Sequence, residues 1–86
     1  MGYQVRLLDA AIKDLERLDR PIARRVVHKI AWLAEHIHEA PLLPLRGNLR
    51  GLYKLRVGEY RVIYEILDEE SIVIVHAIGH RKEIYR

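Results

Sequence analysis

The stretch YKLRVGEYRVIYEI, residues 53–66, constrains this chain more tightly than any other. Two runs rich in β-branched and aromatic residues flank Gly58-Glu59, the pattern of a two-residue hairpin whose first turn residue takes a positive φ. A turn of that length fixes the register, pairing Val57 with Tyr60 and setting Arg56 opposite Arg61. Side chains alternate along a strand, so Tyr53, Leu55 and Val57 form an apolar face while Lys54 and Arg56 point the other way. Lys54 then lies a diagonal step from Arg61 on the same face. Directly opposed like charges work against a sheet, where a cross-strand pair is worth about 0.2–1 kcal/mol of either sign. Long side chains splayed into water are one explanation. An anion that completes the cluster is the other, because converging guanidinium and ammonium groups bind phosphate through charge-assisted hydrogen bonds.

The distribution of charge favours the anion. The formal net charge is +3, yet residues 46–61 hold Arg46, Arg50, Lys54, Arg56 and Arg61 against Glu59 alone, a local +4. Residues 62–79 carry −4, from Glu65, Asp68, Glu69 and Glu70, and the tail from His80 returns to +2. Positive charge concentrated on one hairpin, its lead-in loop and the tail points to a polyanion.

The 86 residues imply a single domain, 1–86, with a modest core. Tyr3 to Leu7 alternates as a first strand. Asp9 is placed to cap a short helix with Ile12, Leu15 and Leu18 on its apolar stripe. Asp19 and Pro21 open a second helix that runs to about residue 37, with Ile22, Val26, Ile30, Leu33 and Ile37 facing inward. Pro41 and Pro44 end the helical pattern, and residues 41–51 form a loop. Ser71 to Ile78 reads as a strand covered on much of both faces, and residues 68–70 supply its turn. The order β-α-α-β-β-β gives an α+β fold: a two-helix hairpin on one face of a largely antiparallel four-stranded sheet, its cation-bearing face uncovered.

The absence of cysteine excludes disulfides and thiolate metal sites and fits a reducing cytoplasm. No signal-peptide pattern opens the sequence, and its apolar runs are too short to span a bilayer, so a soluble cytoplasmic protein without membrane partners is expected. His28, His36 and His38 lack both the spacing of a helical metal site and an accompanying carboxylate motif, so no metal and no cofactor are expected. Trp32 falls among Arg25, His28, Lys29 and His36, away from the apolar stripe. It lies either over a sheet edge or the first helix, or against a partner protein, tryptophan being a favoured interface anchor. His80 sits in GHRKEIYR beside Arg81 and near Tyr85, where Gly79 lets the tail bend over the basic face.

Together LRGLYKLRVGEYRVIYEI, the acidic turn and IGHRKEIYR resemble the RelE branch of the RelE/ParE toxin superfamily, along nearly the whole chain. The resemblance implies a RelE-like toxin of a type II toxin–antitoxin pair that cleaves messenger RNA, for many members in the ribosomal A site. Its partners would be mRNA, the ribosome and a RelB-like antitoxin that blocks the basic face. It assigns site roles to Lys54, Arg56, Arg61, Arg81 and Tyr85. Arg56 departs from the lysine of the branch's best-known member, and arginine does not release its proton, which bars proton abstraction there. The implied reaction is attack of a 2′-hydroxyl on the adjacent phosphate, whose developing charge suits Arg61, Arg81 and Arg56. The acid and base remain open among Lys54, His80 and Tyr85. Arg46, Arg50 and Lys82 are candidate RNA contacts. With no carboxylate–histidine pair evident, dependence on the ribosome is expected. Two alternatives stand beside this: a ParE-like inhibitor of DNA gyrase with the same fold, and a non-catalytic module binding nucleic acid or antitoxin. The nuclease reading requires Arg61 and Arg81 to share one region, unlocked by acidic neighbours.

Overall fold

The computed structural model describes residues 2–84. Its elements are β1 (Gln4–Leu7), α1 (Asp9–Glu16), α2 (Arg20–Glu35), β2 (Leu43–Pro44), a 3-10 turn (Gly47–Leu49), β3 (Tyr53–Val57), β4 (Tyr60–Leu67) and β5 (Ile72–His80). The strands form one sheet in the order β1-β5-β4-β3-β2, antiparallel except where β1 runs parallel to β5. The α+β arrangement agrees with the sequence reading, with one strand more than expected. Leu43 and Pro44 leave the lead-in loop to pair with Lys54 and Tyr53. Proline is admissible there because an edge strand needs no N–H on its outer side.

Helix boundaries differ in two places. Asp9 is the first residue of α1 and not its cap; Leu8 holds the cap position without a side-chain hydrogen bond. Ile12 is exposed, so the inward stripe of α1 runs through Ala11, Leu15 and Leu18. In α2, Asp19 precedes the helix and Pro21 sits in its first turn as expected, and the helix ends at Glu35. Val26, Ile30, Leu33 and Ile37 pack on Leu55, Val57, Val62, Tyr64, Val73, Val75 and Ile78 of the sheet. Burying each large aliphatic side chain contributes roughly 1.5–3 kcal/mol, so this layer sets which face of the sheet is covered.

A bulge in β5 decides what the uncovered face carries. Tyr64 pairs with Val75, whereas Ile63 pairs with Ala77, leaving His76 as the extra residue. The His76 side chain turns to Glu65, Nε2 to Oε1 2.9 Å. Past the bulge the alternation is inverted. Ile78 joins the core with Val62, and Gly79 lies opposite Arg61 on the uncovered face. Beyond the end of β1, the Ile78 N–H is satisfied by Asp14 Oδ2 of α1 at 3.0 Å.

Tyr64 is fully buried, and its hydroxyl has no hydrogen-bond partner among the described residues. Burial, with a smaller effect from Tyr53, pushes its pKa up to about 12. The folded state keeps the phenol neutral while the unfolded chain ionises above pH ~10. Stability from this group is therefore full below pH ~10 and lost as pH rises toward 12. Tyr64→Phe removes an unsatisfied polar atom, so it should raise stability in urea by about 1 kcal/mol at neutral pH and flatten the alkaline decline.

Candidate functional site

The hairpin forms in the register its turn chemistry dictates: Val57 pairs with Tyr60 and Arg56 with Arg61. Gly58 has φ 59°, and a Cβ there would lie 2.8 Å from Arg25 Nη2 on α2. The positive φ is what favours glycine, since the exposed Arg25 side chain can swing aside. Lys54, opposite Ile63, and Arg56 share with Arg61 the face that carries no helix, on which Ile63 is nevertheless buried. Like charges gather at the hairpin end of the sheet.

The turn itself holds two of the arginines. Arg61 Nη1 donates to the carbonyl oxygens of Gly58 at 2.9 Å and Tyr60 at 2.8 Å. Arg81 donates its backbone N–H to the Glu59 carbonyl at 2.8 Å, extending the ladder one step beyond β5. Its Nε meets Glu59 Oε2 at 2.7 Å. Arg61 and Arg81 therefore occupy one region. Arg81 is nevertheless paired with a carboxylate, contrary to the requirement drawn from the sequence. The pair is half-exposed, 52% and 62%, and ion pairs in such settings contribute about 0–1 kcal/mol, too little to hold Arg81 against a phosphate.

Gly79 brings the tail onto this face by leaving room and not by an unusual bend. Ile84 Cδ1 lies 3.1 Å from where a Cβ at Gly79 would be, and Ile84 N–H closes a turn to the His80 carbonyl. Tyr85 lies outside the described residues. His80 is not brought to the cations. It pairs with Tyr60 on the helix-bearing face, rings edge-on at 5.5 Å, and its Nδ1 accepts the Lys82 N–H at 3.1 Å. Lys82 is exposed beside Arg81. Arg46 and Arg50 flank the 3-10 turn at the opposite end of β3, where neighbouring Gly51 lines a hollow with Asp68. Trp32 stands 39% exposed on α2, stacked on His36 with Lys29 Nζ 4.3 Å from the ring centroid, and borders the outer edge of β3. Sequence reasoning passed over Glu59 and Arg25 as parts of this site. The partnership of Glu59 with Arg81 becomes visible only when the β5 register is carried past the bulge.

Among the described residues no group of three His, Cys, Asp or Glu side chains is placed to hold a metal ion, and no helix is long and apolar enough to cross a membrane.

A small α+β domain that exposes a cationic hairpin beside a folded-back tail is the architecture of a class of bacterial and archaeal toxins, and comparison with known proteins agrees. The family model of the ParE toxin of type II toxin–antitoxin systems matches residues 5–85. The chain belongs to that family, and within it is a RelE-like toxin of a type II toxin–antitoxin system. It is 36% identical to toxin RelG of Mycobacterium tuberculosis, with 100% of this chain and 99% of that one covered. It is 27% identical to the mRNA interferase toxin RelE of Escherichia coli, with 99% and 92% covered. Among solved structures, the toxin–antitoxin complex RelBE2 of M. tuberculosis gives a TM-score of 0.84 at 33% identity, covering 94% of this chain and 100% of that one. The RelE–RelB complex of Pyrococcus horikoshii gives 0.76 at 25% identity, covering 96% and 99%.

Glu59→Ala should change unfolding free energy by less than about 1 kcal/mol, because it breaks only a half-exposed pair. A loss well above that in urea unfolding would show that the pair anchors the tail.

Proposed function

We propose that this toxin is an endoribonuclease that cleaves messenger RNA on the uncovered sheet face, with Arg56, Arg61 and Arg81 gripping the scissile phosphate. The observation that carries the proposal is the enforced opposition of Arg56 and Arg61, joined by Lys54 and Arg81 on one face. Free of an anion this arrangement costs stability; around a phosphate it becomes an asset. In the reaction the 2′-oxygen attacks the adjacent phosphorus and the P–O5′ bond breaks, giving a 2′,3′-cyclic phosphate and a 5′-hydroxyl. A base takes the 2′ proton and an acid supplies one to O5′. The arginines stabilise charge that grows on the phosphoryl oxygens. Lys54 stands on the right face for proton transfer, and Tyr85 keeps the role that its place after Ile84 and the family resemblance give it. His80, facing the helices, serves better to brace the tail through Lys82 than to meet the substrate. Lys82 contacts RNA next to the site, and Arg46 and Arg50 reach only RNA that extends along β3.

Contrary to the expectation from the sequence, a carboxylate–histidine pair, Glu65 with His76, does share this face, but it stands four residues along β4 from Arg61, roughly 13 Å of strand, so the ribosome supplies the alignment of the message. A RelB-like antitoxin neutralises the toxin by covering the same surface, and complexes with RelB are the form in which its structural relatives from M. tuberculosis and P. horikoshii were solved. Gyrase inhibition gives no reason for this cation set, and a relative of the chain carries the name mRNA interferase.

Primer extension on messages from a translating extract tests the proposal. The protein should produce cuts within ribosome-held codons, and Arg81→Ala or Arg61→Ala should lower kcat about 10²–10³-fold with a much smaller change in RNA affinity. Full cleavage by Arg61→Ala, or an extract without cuts in which gyrase supercoiling is blocked, would overturn it.

A further inference from the structure

Two open clefts adjoin along the outer edge of β3, and their chemistry goes beyond the cleavage site. β2 pairs with Tyr53 and Lys54, and among the described residues no strand lies beside the edge from Leu55 to Val57. Facing that edge, α2 presents Arg25, His28, Lys29 and Trp32 across a cleft of about 490 Å³. A second cleft of about 340 Å³ continues past Lys29 and Trp32 to Pro41, Leu43 and Lys54. Arg56 lines both, and among the described residues no acidic side chain lines either.

We propose that this groove binds the single-stranded RNA flanking the scissile phosphate, an inference that rests on the reading of the sheet face as an RNA-cleaving site. Continuity carries it. Lys54 and Arg56 belong both to the uncovered face and to the groove, so a strand held at the site passes over the sheet edge without leaving positive potential. Arg25 and Lys29 then meet the next phosphates, and the exposed part of Trp32 offers an apolar floor between them. Arg25 is already placed beside Gly58, where glycine leaves space for its guanidinium. A flexible single strand follows such a bend, and a cationic groove with an interposed aromatic suits its backbone and bases.

Trp32 is the sole tryptophan of the chain and reports occupancy directly. A short 2′-O-methyl oligoribonucleotide, which cannot undergo attack by its own 2′-oxygen, serves as the probe. Its binding, followed by anisotropy, should change Trp32 fluorescence with the same midpoint. Replacing Arg25 and Lys29 together by alanine, both outside the core, should reduce the log–log salt slope by about 1.4, at about 0.7 per phosphate contact. Arg61→Ala should leave the Trp32 response in place. Binding that leaves Trp32 unmoved and the salt slope of the double variant unchanged would overturn the proposal. So would failure to bind at low salt, or a Trp32 response to polyglutamate but not to RNA, which would assign the groove to an acidic peptide. Probe binding in the groove without cuts in the extract removes the nuclease reading alone; cuts with an unresponsive Trp32 remove the groove alone.

Discussion

Everything at the basic end of this molecule depends on the conformation of one residue. Gly58 takes a φ of 59°, which an L-side chain adopts only under strain, and it lies beside the exposed guanidinium of Arg25. The two-residue turn that results sets the register, and the register sets Arg56 against Arg61. The same turn then manages the repulsion it creates. Its carbonyl groups at Gly58 and Tyr60 hold Arg61, and the backbone and carboxylate of Glu59 hold Arg81. Three consecutive residues both create the cluster and aim its two best-held guanidinium groups.

The bulge at His76 determines which residues accompany them. In an unbroken antiparallel pairing the alternation that buries Val73 and Val75 would also turn Gly79 and Arg81 toward the helices and His80 toward the cations. The extra residue reverses this. Ile78 fills the core above Val62, Gly79 opens a place for Ile84, and Arg81 joins Arg61. The inserted residue costs little, because the His76 ring finds Glu65 and the Ile78 N–H finds Asp14. A local irregularity thereby exchanges a histidine for an arginine at the site.

That exchange also explains which parts were legible in the sequence. The hairpin, its register and the basic face follow from turn chemistry and period-two alternation, which act over a few residues and are written in residues 53–66. The helix pair follows from apolar spacing and Pro21. The sequence places His80 at the site only through its position beside Arg81 and near Tyr85, and the bulge at His76 falls in a run so apolar on both sides that its alternation does not reveal it. Glu59 looked like an ordinary turn residue, since its partner lies 22 positions away in sequence, across a register that the bulge shifts. The resemblance names arginines that the structure places on one face, but not the carboxylate that pairs with one of them. The short β2 was hidden for a different reason: Pro44 signals a break, and only the exposed edge of the sheet makes room for it.

Charge is also separated along the sheet, and the separation has a physical consequence. The hairpin turn lies at one end of β4 and the acidic turn of residues 68–70 at the other, with eight residues between them, roughly 26 Å of strand. That distance is several times the screening length of about 8 Å at physiological ionic strength, so the carboxylates do not offset the field at the cations. The acidic end has its own structural use, as Asp68 accepts the Tyr3 hydroxyl at 2.9 Å and ties β1 to the β4–β5 turn. The acidic end is mixed, because Arg46 and Arg50 flank the 3-10 turn there, whereas the hairpin end gathers Lys54, Arg56, Arg61 and Arg81 around Glu59. The hairpin end therefore keeps the stronger positive field, the property by which a surface attracts polyanions before contact.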